Sequence, residues 1–247
     1  LYANKIVNSV AGKDAYFKNI ADTTIGRNAY PNSTDQPTTI MPISDADIEE
    51  WKTAAANGGV ISSPCPYKIS GSSSVTLGPV KIDCDLELSN TSSLTLSGNV
   101  WVNGSVSLGN SGTIQVSPSI SGKTVAIIAD NTSNHTSSSK ITISNSSAFA
   151  GSGANSYVML VSQNNSAETG GSEVAIDASN SMDGKVLLYA SHGEIRIGSS
   201  ASVKEVTAWK ILLKNTAQVI YETGLANLLF TSGPAGGYML DKWREVQ

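Results

Sequence analysis

VKIDCDLELSNTSSLTLSGN (80–99) and VWVNGSVSLGNSGTIQVSPS (100–119) are consecutive segments of equal length that repeat one pattern. Aligned with each other, they place Leu86 opposite Val106, 20 residues later, and keep that step throughout. In both segments apolar and polar residues alternate over three short stretches, which Gly, Asn or Ser residues separate. Alternation with a period of two is typical of β-strands. The constant step predicts stacked turns in register, as in a parallel β-solenoid with three short strands per rung.

The same alternation continues on both sides of these two segments. The preceding unit aligns at a step of 19 residues, which pairs Ile61 with Val80 and Cys65 with Cys84. We therefore predict a mostly β chain, with a single-stranded parallel β-helix over residues 61–247. Parallel crossover connections are almost always right-handed, so right-handed winding is expected.

Cys65 and Cys84 are the only cysteines in the chain. Equivalent positions on neighbouring rungs lie about 4.8 Å apart. The Cα atoms of a disulfide lie about 4.4–6.8 Å apart, so this pair falls within bonding range. We predict a Cys65–Cys84 disulfide; the alternative is a pair of stacked free thiols.

Residues 1–60 are predicted to be an N-terminal helical and linker segment. The spacing of Ile6 and Val10 is weakly helical. A stronger signal lies at 45–56, where Ser44 provides an N-cap and Asn57-Gly58-Gly59 a stop. This helix is expected to cap one end of the solenoid, and the C-terminal SGPAGGYMLDKWREVQ (232–247) the other.

Two polar insertions interrupt the later rungs, at 129–140 and 162–173. Each follows an apolar strand, and the two lie 33 residues apart. The same step relates Val125 to Val158, and it predicts that Ile141 pairs with Val174. The insertions should therefore emerge from one corner of successive rungs and lie side by side.

Asparagine recurs at one corner of the pattern. It tolerates the left-handed backbone conformation that such corners require, so the residues are interpreted as structural. The corner residues are Asn90, Asn110, Asn145 and Asn215.

Few residues suggest catalysis. Asp83 and Asp85 lie at one corner, but the next rung has Asn103 and Ser105 there, so no carboxylate cluster is expected. The two histidines, His135 and His192, are interpreted as turn residues. No catalytic, cofactor or metal site is predicted, and the chain is not expected to be an enzyme.

Composition excludes one class of partner. The 247 residues carry a net charge of −4, and only 15% are charged. Such a chain lacks the basic surface that nucleic acids require.

Several phrases resemble a family of pilus-assembly-like proteins, described as PilX-like: MPISDADIEEWKTAAANGG (41–59), LGPVKID (77–83) and the closing SGP…WREV. The resemblance covers about residues 24–246. It implies an exported, pilus-associated or cell-surface structural protein. The resemblance also implies that a hydrophobic N-terminal helix, absent from this chain, attaches the protein to the membrane. The group has Gly where this chain has Cys84, which supports a disulfide specific to this chain.

We therefore expect a non-enzymatic extracellular protein, a minor pilin-like or surface-display subunit that contacts other pilus or surface proteins. The alternative is an adhesin that binds glycans or a host cell through insertions 129–140 and 162–173. A β-helix enzyme acting on carbohydrates and a bactofilin-like cytoskeletal polymer are further hypotheses.

Overall fold

The computed structural model describes residues 2–7, 10–34, 41–144, 146–178 and 181–220. Its first strands belong to a small N-terminal unit: β1 (Tyr2–Val7), β2 (Val10–Ala11), β3 (Ala15–Ala21), β4 (Thr24–Ile25) and β5 (Ala29–Pro31). The helical interpretation of Ile6 and Val10 is therefore wrong, because both residues lie in strands. Ile6 is buried and Val10 is 79% exposed, so they do not share one apolar face.

The N-terminal strands pair in parallel at a step of 14 residues. Tyr16 is in register with Tyr30, and Val10 with Thr24. The rings of Tyr16 and Tyr30 stack with centroids 4.4 Å apart. At Gly26 a Cβ would lie 2.6 Å from the carbonyl oxygen of Gly12, so this corner requires glycine. The unit is thus a short parallel stack with smaller rungs than the rest of the chain.

Helix α1 (Asp45–Asn57) follows, and it confirms the predicted helix. The Ser44 hydroxyl accepts a hydrogen bond from the Asp47 amide at 3.2 Å. In return the Asp47 carboxylate accepts one from the Ser44 amide at 2.9 Å, which completes a capping box. Gly58 ends the helix, and Gly59 has a φ of 136° that favours glycine.

The remaining strands form a stack of rungs, each with up to three sides. In chain order they are β6 (Val60–Ile61), β7 (Tyr67–Ile69) and β8 (Ser74–Leu77) in rung 1; β9 (Val80–Ile82), β10 (Leu86–Leu88) and β11 (Ser93–Leu96) in rung 2; β12 (Val100–Val102), β13 (Val106–Leu108) and β14 (Thr113–Val116) in rung 3; β15 (Val125–Ala129), β16 (Ile141–Ile143) and β17 (Ser147–Ala150) in rung 4; β18 (Val158–Ser162), β19 (Ile176–Ala178) and β20 (Met182–Gly184) in rung 5; β21 (Val186–Ile197) and β22 (Ser202–Val203) in rung 6; and β23 (Glu205–Leu213) and β24 (Gln218–Val219) in rung 7. A short 3₁₀ helix, Pro118–Ile120, lies between rungs 3 and 4.

Every strand pairing in the described ranges is parallel, and the large sheet curls so that its two halves meet in β21. Rungs 2 and 3 confirm the 20-residue step, since Leu86 pairs with Val106 and Leu94 with Ile114. Inward-facing Ile, Leu and Val side chains of all three sides form one continuous buried core. This is the mostly β, solenoid-like architecture that the alternating pattern predicts.

Two predicted pairings are wrong by two residues. Ile61 pairs with Ile82 rather than Val80, because the first corner of rung 1 is two residues longer than that of rung 2. Ile141 pairs with Ile176 rather than Val174, because insertion 162–173 is followed by a longer approach to its strand. The expected pairing of Val125 with Val158 is confirmed.

Helix α1 lies along the side of the stack instead of capping its end. Its N-terminal region contacts β21, and a Cβ on Gly58 at its other end would lie 2.1 Å from the Pro79 carbonyl oxygen, just before β9. Thirteen residues make a helix about 20 Å long, close to the four strand spacings of about 4.8 Å between β9 and β21. The helix therefore spans five rungs.

A second core lies between α1 and the stack. Ile48 and Trp51 of the helix cluster with outward-facing residues of β15, β18 and β21, among them Ile128, Met159 and Leu187. All five residues of β15 and of β18 are buried, because one set faces the inner core and the other faces the helix. The predicted C-terminal cap, 232–247, lies outside the described residues.

Candidate functional site

The two insertions lie side by side, as predicted. The Asn164 side-chain amide in insertion 162–173 donates hydrogen bonds to the carbonyl oxygens of Thr136 and Ser138 in insertion 129–140, at 3.2 and 2.8 Å. Asn164 is completely buried. We call the joined insertions the ledge.

The ledge is also bonded through its backbone and hydroxyls. The Asn165 amide donates to the His135 carbonyl at 3.0 Å. The Ser162 hydroxyl donates to the Ser139 carbonyl at 2.6 Å. Because these contacts use the backbone of both insertions, the ledge is a folded part of the stack rather than a pair of independent loops.

A buried charge cluster connects the ledge to the helix. Lys52 Nζ lies 2.5 Å from Asp130 Oδ2, and each of these residues is only 2% exposed. Asp130 Oδ1 lies 2.7 Å from Nε2 of His135, and Lys52 Nζ lies 2.6 Å from Oε1 of Glu49. A buried ion pair needs such additional partners to offset its lost hydration. Sequence reasoning missed this cluster.

Trp101 of β12 forms one wall of the charge cluster. Its indole N–H donates to the Asp130 carbonyl at 3.0 Å. Lys52 Nζ lies 4.9 Å from the centre of its ring, and Lys81 Nζ lies 4.4 Å from it. Both ammonium groups are within the range of a cation–π attraction.

The second insertion is joined to the helix through His192. Its Nδ1 lies 2.6 Å from Glu168 Oε2, and its Nε2 lies 3.1 Å from both carboxylate oxygens of Asp45. Burial of the ring opposes protonation, but hydrogen bonds and charge from Asp45 and then Glu168 outweigh it and raise the pKa of His192 above 6.5. His192 therefore links the ledge, β21 and the first turn of α1.

Two neighbours of His192 have other partners. Glu194, which is close to it in sequence, accepts hydrogen bonds from Arg196 and Lys210 instead. The buried Tyr189 hydroxyl donates to the Ile43 carbonyl, just before the helix. The helix N-terminus is thus held by contacts to both the core side and the ledge side of rung 6.

The acidic corner of rung 2 does not form a carboxylate cluster. Hydrogen bonds from Lys81 and then from Asn103 lower the pKa of Asp83, so that this carboxyl is held in its ionised form. Asp85 accepts a hydrogen bond from the Ser105 amide at 2.7 Å. The two acids therefore have separate partners on the neighbouring rung.

Cys65 and Cys84 are adjacent, but the structure has no bond between them, so it shows the stacked free thiols rather than the predicted disulfide. Both are free thiols, Cys65 exposed and Cys84 half-buried. Burial, followed by the hydrogen bond and charge of the Cys65 thiol, raises the pKa of Cys84 to about 11. Neighbouring rungs bring the two thiols together, because Tyr67 and Leu86, each two residues after a cysteine, pair with each other.

The corner asparagines differ in conformation. Asn90 and Asn215 have φ values of 57° and 54°, in the left-handed region. At the second corner the residue with positive φ is Ser111, at 56°, rather than Asn110. Asn145 lies outside the described residues. The corner thus requires one left-handed residue, and serine can occupy it as well as asparagine.

The described residues contain no group of three or more His, Cys, Asp or Glu side chains that could hold a metal ion. In the described part of the chain, no helix combines the length and apolar character needed to span a membrane. The chain matches no known family model, no curated protein and no solved structure.

Proposed function

We propose that this chain is a non-enzymatic structural module of the bacterial cell surface, a type IV pilus-associated, minor pilin-like or display subunit. The observation that carries the proposal is the attachment of helix and ledge to one continuous stack. Within the described residues, seven stacked rungs extend about 29 Å at a spacing of about 4.8 Å. A stack braced along its side suits a rigid spacer that holds other parts of a surface assembly apart.

The sequence resemblance supports the same role. It implies export, attachment to the membrane through a hydrophobic N-terminal helix, and other pilus or surface proteins as partners. The separate partners of Asp83 and Asp85 favour a structural role over glycoside hydrolysis, which needs two carboxyl groups flanking one bond. Right-handed winding is part of the proposal and rests on the general preference of parallel crossovers.

The experiment is to label intact cells that express the full-length gene. Antibodies raised against this chain should bind unpermeabilised cells and sheared surface fractions. Antibodies against a cytoplasmic protein serve as the control for cell integrity. Labelling that appears only after permeabilisation would contradict both the pilus-associated and the display roles.

An extracellular location favours oxidation of the adjacent thiols, and we include a Cys65–Cys84 disulfide in the proposal. An external disulfide would accept the two electrons: two thiols become one disulfide while the oxidant becomes two thiols. Alkylation of protein secreted under oxidising conditions, without reductant, should leave both cysteines unlabelled. Complete labelling of both would contradict the bond, and Cys65→Ser provides the control with one free thiol.

The alternative function is an adhesin that uses the ledge to bind glycans. The joined, polar ledge with exposed Thr132 and Ser133 favours it. However, neither insertion contains Trp, Tyr or Phe, the residues whose large amphipathic rings are enriched in contact surfaces. On a glycan array, Thr132→Ala with Ser133→Ala should abolish binding that Ser107→Ala, an exposed rung change, retains. Absence of binding by the parent protein would contradict this alternative.

A further inference from the structure

Lys52 and Asp130 bring an amine into direct contact with a carboxyl group. The amine nitrogen of Lys52 lies 2.5 Å from one oxygen of the Asp130 carboxyl group. The two side chains are 2% and 3% exposed, so water has little access to them. They come from different parts of the fold, the third turn of α1 and the start of insertion 129–140.

One further side chain contacts each member of the pair. Glu49 Oε1 lies 2.6 Å from Lys52 Nζ, where it can accept a proton from the amine. His135 Nε2 lies 2.7 Å from Asp130 Oδ1, where it can donate to the oxygen that gains negative charge under attack. A proton acceptor at the nucleophile and a donor at the acyl oxygen are the two groups that acyl transfer requires.

Burial of the pair favours a product that carries no charge. A buried ion pair pays a large desolvation cost, whereas an amide in the same place is neutral. The ring of Trp101, 4.9 Å from Lys52 Nζ, covers the amine. Such a dry site also protects an amide from hydrolysis once it has formed.

We propose that Lys52 and Asp130 are joined by an isopeptide bond that forms within the folded protein. The Lys52 nitrogen bonds to Cγ of Asp130, and the bond from Cγ to Oδ2 breaks. Two of the three ammonium protons end on Oδ2, which leaves as water, and the third remains on the amide nitrogen. Oδ1, facing His135, becomes the amide oxygen. No oxidant or cofactor takes part.

The bond would fix the helix to the ledge covalently. It would close a loop of chain from residue 52 to residue 130, which contains rungs 1 to 3. This inference does not depend on where the protein works, because it concerns only the chemistry of a buried pair.

A second pair in the same chain is a matched comparison. Lys140 Nζ lies 2.6 Å from Glu173 Oε2, nearly the same separation, but the two side chains are 33% and 46% exposed. Hydration stabilises both charges at such a site, so this pair remains an ion pair. Only the buried pair is expected to condense.

The test is the intact mass of the purified, fully denatured chain. We expect a mass lower than that of the sequence by one water molecule, and a digest in which the peptides of Lys52 and Asp130 are linked. The Lys140 and Glu173 peptides should remain separate. A mass equal to that of the sequence, without a linked peptide, would overturn the proposal and leave only an ion pair.

Two variants test the assigned roles. Lys52→Arg keeps the positive charge but removes the amine that forms the bond. This variant should therefore have the full mass of its own sequence. Glu49→Gln changes a side chain that is 67% exposed, so folding should survive. The substitution should slow formation of the isopeptide bond by about 10²-fold or more, measured as the fraction of linked chains against time after refolding. Linkage at the parent rate in Glu49→Gln would overturn the role of Glu49.

Discussion

Rungs 2 and 3 (80–116) and rungs 4 and 5 (125–184) have the same interior but different exteriors. Leu86, Val106, Ile141 and Ile176 stack in one column and are nearly or fully buried in both regions. Outside, the strands of rungs 2 and 3 present partly exposed residues, whereas β15 and β18 are buried on both faces.

The difference shows that inward-facing and outward-facing residues determine separate features of the fold. Inward-facing residues set the register of the strands. The register is the same before and after insertions of a dozen residues, because the insertions leave the stack only at a corner. Outward-facing residues decide whether a rung meets water or the helix. A strand with apolar residues on both faces, such as VAIIA, therefore marks the place where another element packs.

The largest loss of stability should come from a charged residue in the interior that both regions share. Leu88 is 1% exposed, and Leu88→Asp would bury a charge without a partner between rungs. We expect the variant to lose its cooperative unfolding transition, a destabilisation above about 4 kcal/mol. Ser107→Asp on the exposed face of rung 3 should change stability by less than about 0.5 kcal/mol in urea. Equal melting of Leu88→Asp and the parent would contradict the register.

The next largest loss of stability should come from a change in the second core, on the exterior of rungs 4 to 6. Trp51 is 2% exposed, and Trp51→Ala should destabilise the protein by about 3–5 kcal/mol, since it empties the second core. Thr53→Ala, on the exposed side of the same helix, is the control and should be nearly neutral. Amide exchange should rise in β15 and β18 more than in β10 and β13; a uniform rise would show that the regions are not distinct.

A smaller effect distinguishes two corners of the early rungs. Asn90 has a positive φ and Asn110 does not. Asn90→Ala should therefore cost about 1 kcal/mol, because alanine is penalised in the left-handed region. Asn110→Ala should cost less than about 0.5 kcal/mol in the same urea titration. If both changes cost the same, conformation is not what selects asparagine here.

The smallest effect is a pH dependence that involves the ledge. The pKa of His192 is raised in the folded state, so its contribution is fully present below the unfolded value of 6.5 and is lost as pH rises through the folded value. His192→Gln should lower stability by a few tenths to about 1 kcal/mol in acid and by less in base. Urea titrations about 1.5 units on either side of the ordinary pKa measure this. A deficit that grows with pH would contradict the arrangement of Asp45 and Glu168.

The register of rungs 2 and 3 could be predicted because their corners have equal lengths. Pairings failed where corner lengths change: SSPCP in rung 1 has two more residues than DCD in rung 2, which moved Ile61 onto Ile82. The helix could be located from Ser44, Asp47 and Gly58. Its side-on position could not, because it depends on outward-facing residues of three distant strands.

Other features were missed for different reasons. The 14-residue repeat of Tyr16 and Tyr30 is present in the sequence, but the weak helical spacing of Ile6 and Val10 in the same segment favours a different structure. The carboxylate partners of His192 come from Asp45, 147 residues away, and from Glu168, 24 residues away. Contacts of this kind are set by the folded arrangement, so local sequence patterns carry no signal for them.

Stacked repeats usually behave as a one-dimensional chain of nearest-neighbour units, which fray independently from the ends. A helix that spans five rungs adds coupling beyond nearest neighbours, since one rung cannot open without disturbing a surface shared with four others. Rungs 2 to 6 should therefore unfold as a single cooperative unit, while the exchange of rung 1 and rung 7 amides reports local fraying. The helix thus changes how the stack unfolds, from a gradual loss of rungs to an all-or-none transition.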